Sequence, residues 1–393
     1  MTSYTNDAVT LLKRLIATPR VSRDEKAAAD ILEEAIRDYG YQPERLGNNI
    51  WIKSQDWDDT RPTIMLNAHI DTVKPVATWT RDPFTPTIED VEVTDAQGNR
   101  HAEQRLYGLG SNDCGGGLVS LLQVFRQLSP AAHPQTGSLA PGCPAVHPLE
   151  QPPSPFPFPS SLPFNLLYLA SCEEEVSGKD GIRAVLPLLP PISVAIVGEP
   201  TGMQPAIAER GLMVIDGIAH GKSGHAARAE GINAINEALD DLLFLRDYQF
   251  EKVSPLLGPT KMQCTVINAG TQHNVVPDEC RFVIDVRTNE HYTNEEVFQF
   301  LQSKMKSELT ARSFHLHSSS IPSEHPLIQR CTEMGMKPFG SPTLSDQALM
   351  RFPSFKLGPG QSSRSHSADE YICLHEIEGA IETYIQLLDN INL

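Results

Sequence analysis

The sequence predicts an α/β protein with a second, α+β domain inserted into it, and three observations carry that reading. From the N-terminus to Val197, helical spacings alternate with short, wholly apolar runs, the pattern of strands buried on both faces of a sheet. One such run, Thr63 to Asn67, ends in His69 and Asp71, and ligand sites of open α/β sheets lie at the carboxyl ends of their strands. After Pro205 the apolar runs give way to alternation, the signature of a sheet with one exposed face.

In chain order, Asp7 is a helix cap preceding an apolar stripe of Ala8, Leu11, Leu12, Leu15 and Ile16, which Thr18-Pro19 ends. Lys26 to Tyr39 repeats the helical pattern, and Asn49–Ser54 and Thr63–Asn67 read as strands. A polar excursion through Gly98 to Gln104 leads into the glycine-rich stretch 105–117, which feeds a helix from Leu118 to Leu128. Residues 130–164 hold eleven of the chain's 31 prolines with few charges, so they build no core and read as a surface insertion. Order resumes with buried-strand runs at Asn165–Ala170 and Val194–Val197. Strands at 212–219, 262–267 and 281–286, with helices at 232–245 and 294–309, form the α+β domain, placed at 208–320. Residues 1–207 and 321–393 form the first domain, closed by an amphipathic helix from Leu374 to Leu388.

A net charge of -17 repels nucleic acid and anionic membranes, and neither is expected as a partner. No apolar run approaches the roughly 20 residues of a membrane span, and the first twenty residues lack the apolar core of a signal peptide. Seven scattered cysteines, with no C-x-x-C pair, read as free thiols in a reducing, cytoplasmic setting.

Chemistry-bearing side chains recur where structural ones are normally apolar or turn formers. They are His69 with Asp71, Asp113 in the glycine-rich turn, Glu173-Glu174-Glu175 after a buried strand, Glu199 in Gly198-Glu199-Pro200-Thr201, and His366 after Leu357-Gly358-Pro359-Gly360. Carboxylates and imidazoles are the zinc ligand set, and two-metal hydrolases share one between ions about 3.5–4 Å apart. An aspartate two residues after a histidine can accept its second ring N–H and fix the tautomer.

In this order, together with Trp79 to Phe84 and Leu106-Tyr107-Gly108-Leu109-Gly110, these motifs resemble the di-zinc aminoacylase family. That family includes acetylornithine deacetylase, succinyl-diaminopimelate desuccinylase and carboxypeptidase G, and the match covers nearly the whole chain. The resemblance implies a mixed-sheet, zinc-peptidase-like catalytic domain with an inserted ferredoxin-like lid and dimerisation domain. It implies two zinc ions per subunit, with cobalt able to substitute: His69, Asp113 and Glu199 hold one, and Asp113, Glu175 and His366 the other. Asp71 would orient His69 and Glu174 would be the general base, with Glu173 matching the family's aspartate before the pair. The other register makes Glu173 the base and Glu174 the ligand. A cis peptide is implied between Asp113 and Cys114.

In the inserted domain, Gly221-Lys222-Ser223-Gly224-His225-Ala226-Ala227 resembles the turn whose histidine reaches a partner subunit's site to stabilise the oxyanion. Asn274-Val275-Val276-Pro277 and Asp285-Val286-Arg287 resemble segments whose asparagine and arginine hold substrate, to which Gly358 and Gly360 would add. The implied protein is a homodimeric hydrolase of a small N-acyl amino acid, of the acetylornithine deacetylase type in arginine biosynthesis. Succinyl-diaminopimelate desuccinylation, N-acylcitrulline deacylation and dipeptide cleavage are the rivals within the class, and an inactive binding homologue is the rival outside it. The chain departs from the family at Gly115, where a lysine is usual, at Ala229, where a proline is usual, and in the stretch 130–164.

Overall fold

The computed structural model describes residues 2–94, 98–131, 162–228 and 230–393. Ala229 and most of the proline-rich stretch expected as a surface insertion lie outside the described residues. The chain divides into two compact units, Met1–Ala206 with Pro322–Pro338 and Arg351–Leu393, and Ile207–Ile321 with Phe339–Met350.

In the first unit the strands lie in the order Glu44–Leu46, Asn49–Lys53, Asn165–Ser171, Thr63–His69, Val194–Val197 and Ser354–Lys356. The last four are parallel, and the first two join antiparallel at the edge. Thr63–His69, Asn165–Ser171 and Val194–Val197 are buried at every position, as apolar runs covered on both faces must be. The register sets His69 beside Ser171 and Asn67 beside Val197. Parallel pairing therefore brings one row of carboxyl ends together: His69, the glutamates after Ser171, Glu199 after Val197 and Gly358 after Lys356.

Helices Ser3–Ile16, Gly116–Leu128 and Leu374–Leu388 pack against one another. The first begins earlier than Asp7, with the Thr2 hydroxyl accepting the Thr5 N–H as its cap. The Gly116–Leu128 helix is buried throughout, because it lies between the sheet and the two terminal helices. The polar excursion is in fact a hairpin, Thr87–Thr94 with Arg100–Tyr107, and the second strand also pairs with Tyr371–Cys373. Its first strand alternates half-buried and exposed residues without an apolar face, which is why hydrophobic pattern alone passes over it.

The second unit has an antiparallel sheet in the order Lys261–Ala269, Glu279–Arg287, Met213–His220, Glu308–Ala311. Helices Ala234–Asp247 and Asn294–Lys304 share a core with it built on Ile215, Ala238, Leu245, Phe282, Ile284, Val297 and Leu301. The helix expected to run to Leu309 stops at Lys304, and the next residues form the fourth strand, giving β-α-β-β-α-β. A four-residue edge strand with a single buried apolar residue, Leu309, reads equally as the tail of a helix. Phe339–Met350, assigned from sequence to the first domain, groups instead with this unit, where Phe339–Ser341 pairs with the strand Ala206–Glu209. The Ser345 hydroxyl binds Glu209 at 2.9 Å and the Ala348 carbonyl accepts the His317 N–H at 3.0 Å.

Candidate metal centre

His69 closes its strand and is 2 % exposed. Its Nε2 lies 3.3 Å from Oδ1 of Asp113 and 3.7 Å from Oε1 of Glu199. His366 presents Nε2 at 2.9 and 3.1 Å to the two oxygens of Glu175 and at 3.5 Å to Oδ2 of Asp113. The two carboxylate oxygens of Asp113 thus face two different histidines, and each histidine has a second carboxylate of its own. The donor atoms of His69, Asp113 and Glu175 lie within 4.8 Å of one another, as do those of His69, Cys114 and Glu199. Burial pushes the Cys114 thiol up to about 12, so it stays protonated and is the poorest donor there.

Three carboxylates and two imidazoles converging in a mostly buried site are short of positive charge. Burial, with Asp113 adding, pushes the Glu199 carboxyl up to about 8, and the bond to Glu175 pushes His366 up to about 9. A divalent cation would supply the missing charge, and the N/O donor set suits zinc. A separate grouping, Glu103, Cys373 and His375, has its carboxylate committed to Arg105 at 3.0 Å.

The turn through the three glutamates is pinned by their main chain. Asp71 accepts the Glu174 N–H on Oδ1 at 3.1 Å, the Glu175 N–H on Oδ2 at 3.2 Å and the Ser22 hydroxyl at 2.7 Å. Drawn to those donors, its carboxylate stays 3.7 Å from Nδ1 of His69, and the Asp71 main-chain oxygen meets that nitrogen at 2.9 Å. The expected carboxylate contact to the ring is therefore taken over by the carbonyl of the same residue. Glu173, at φ 55°, gives its N–H to buried Glu25 and lays its carboxylate over Gly178. Glu175 faces His366, and the Glu174 charge acts on His69.

The Asp113–Cys114 peptide is cis. Gly358 and Gly360 use their carbonyls to bind the turn after Glu199, from Thr201 and Met203 at 3.2 and 3.0 Å and from Gly202 at 2.7 Å. In the second unit, His225 pairs with Val275 in a two-residue ladder, and the Asn274 carbonyl accepts the Ala226 N–H at 3.1 Å, so the two are neighbours, both exposed. Arg287 ends its strand in a two-pronged pair with Asp285 at 2.8 and 3.0 Å.

Sequence reading missed Glu25, Arg20 and Glu370. Glu370 is 2 % exposed and accepts the N–H groups of Gly110, Asn112 and Asp113. Burial, then Asp113, pushes its carboxyl up to about 7. An acidic residue next to Asp369 in a loop carries no sign of burial in the sequence; only the neighbouring Tyr371–Cys373 strand hints at it.

Two family models match, one for each unit: the peptidase family M20/M25/M40 over residues 65–140 and a peptidase dimerisation domain over 207–312. Among curated relatives, acetylornithine deacetylase of Klebsiella pneumoniae is 27% identical, covering 93% of this chain and 92% of that protein. That of Proteus mirabilis is 26% identical over 97% and 96%. The solved structure of aminopeptidase PepT from Bacillus cereus superposes with a TM-score of 0.70 at 16% identity, covering 98% of both chains. A tripeptidase from Staphylococcus aureus gives 0.67 at 16%, again over 98% of both. The α/β unit thus carries the match to the M20/M25/M40 peptidase model and the ferredoxin-like unit the match to the dimerisation model, and the chain is a metal-dependent amidohydrolase similar to these proteins.

Proposed function

We propose that the protein hydrolyses the amide bond of an N-acyl amino acid at a centre of two zinc ions, as an acetylornithine deacetylase. The observation that carries this is Asp113, whose two oxygens face His69 and His366 separately. His69, Asp113 and Glu199 would hold one ion, and Asp113, Glu175 and His366 the other. Bound there, zinc polarises a carbonyl and lowers the pKa of water toward neutrality. Glu174 takes a proton from the attacking water onto its carboxylate and returns it to the leaving amine. Asp71 keeps Glu174 beside the ligand Glu175 by holding both their N–H groups. His225, supplied by a second subunit, donates to the oxyanion, while Asn274 and Arg287, with Gly358 and Gly360, hold the substrate.

A homodimer is part of the reading. Lys261–Ala269 is an edge strand with Val266 and Ile267 exposed, and the adjacent helix exposes Ile235, Leu239 and Leu243, an apolar surface that a second copy would cover. No described helix is long and apolar enough to cross a membrane, and the six described cysteines are free, which fits a cytoplasmic enzyme.

The substrate is tested by amine release from N-acetylornithine, N-succinyl-diaminopimelate, N-acetylcitrulline and a set of dipeptides. The acetylated ornithine should turn over fastest. Preference for a succinyl compound or a free dipeptide would reassign the substrate, and metal-replete protein inert to all of them would favour a binding homologue.

A further inference from the structure

Arg20 and Glu370 are buried to 1 % and 2 % exposure, and neither belongs to the ligand set. Both close on the turn that delivers Asp113. Glu370 accepts the Gly110 N–H on Oε2 at 3.0 Å and the Asn112 and Asp113 N–H groups on Oε1, both at 2.8 Å. Arg20 donates through Nη2 to the Gly110 carbonyl at 2.7 Å and through Nη1 to the carbonyl of Ile70, the residue after His69. Its own carbonyl accepts the Thr72 N–H at 2.9 Å. One guanidinium therefore ties the main chain just beyond His69 to the main chain three residues before Asp113, while one carboxylate gathers three amides of the same turn. Gly110 is gripped from both sides at φ 72°, and a Cβ there would run into the Arg20 guanidinium and the Thr72 methyl. Charge-assisted bonds from a planar fork and a carboxylate fix direction as well as distance.

We propose that Arg20 and Glu370 are positioning residues that set the separation of His69 from Asp113 and aim the two oxygens of Asp113 at the two histidines. They control metal affinity and coordination geometry without touching metal or substrate. This rests on the metal-centre reading above.

The test is a Co2+ titration of metal-stripped wild type, Glu370→Gln, Glu370→Asp and Arg20→Lys, followed by the visible absorption spectrum of the bound ion. The spectrum reports coordination geometry and does not respond to a uniform loss of stability. In Glu370→Gln the amide keeps the shape but turns one of its ends against the N–H groups it must accept. Its cobalt affinity should fall about 10–100-fold with an altered spectrum, the range for partners that orient ligands. Glu370→Asp should recover part of the affinity. In Arg20→Lys a single ammonium cannot reach both carbonyls, and affinity should fall in the same direction. Should Glu370→Gln not fold, Arg20→Lys decides alone. Wild-type affinity and spectrum in the folded variants would overturn the positioning role and leave the metal centre standing. A wild type that binds no cobalt would instead sink the metal centre itself.

Discussion

At the residue scale, Asp71 divides the work of three consecutive glutamates by binding the main chain of two of them, while Glu25 and Gly178 hold the third apart. Glu174→Gln should keep its metal content and lose activity about 10²–10⁴-fold, the usual worth of a general base. Glu175→Gln should lose metal as well, because its carboxylate faces His366. Metal analysis beside kcat separates the two, and a base phenotype at Glu173 would mean the other register. The charge shortage also fixes a pH dependence. Glu199 and His366 both titrate above their ordinary values, at about 8 and about 9 against 4.5 and 6.5, so folding favours their protonated forms. That stabilisation is complete below the ordinary values and disappears as pH rises through the raised ones. Metal-free protein should therefore melt at progressively lower temperature from about pH 4.5, where Glu199 first contributes, and on through the range from about pH 6.5 to pH 9, where His366 adds. Metal-loaded protein, whose ligands are already deprotonated, should hold its melting temperature over that range, as calorimetry with and without chelator would show.

At the element scale, the buried helix Gly116–Leu128 is what brings the turn that carries Asp113 against the strand end that carries Glu199. Its second residue makes the closest approach, since a Cβ on Gly117 would overlap the Gly198 carbonyl. Gly117→Ala should cost about 1–3 kcal/mol in urea unfolding, as overpacked sites do. Because backbone rather than a flexible side chain must give way, Glu199 should shift and metal affinity should drop with stability. The second unit shows the converse, a place where element type is decided by a partner. Glu308–Ala311 is a strand because the Met213–His220 edge is there to pair with it, and its four residues hold little periodicity of their own.

At the scale of the whole molecule, the proposed assembly predicts complementation. His225→Ala and Glu174→Gln should each be inactive alone. When subunits exchange, a mixed dimer holds one composite site with both residues intact, so activity should return to about a quarter of wild type by random pairing in a closed two-fold dimer. No recovery despite proven exchange would mean that His225 acts within its own chain or not at all. A charge placed on the exposed edge, Ile267→Glu, should shift the protein toward monomer in sedimentation velocity and lower activity in parallel.

The sequence by itself determined the unit types and the residue types at the strand ends. Buried parallel strands are continuous apolar runs, and His69, the glutamates after Ser171 and Glu199 follow them directly in the chain, so periodicity and covalent adjacency carry their positions. What the tertiary structure alone decided is which groups share an environment. Arg20, Glu25 and Glu370 are ordinary surface-type residues in sequence, yet burial turns each into a fastener for a main-chain turn distant along the chain. The short strands and the placement of Phe339–Met350 were decided the same way. Local pattern encodes which face of an element is apolar; hydrogen bonds between distant segments depend on a packed interior that no local window contains.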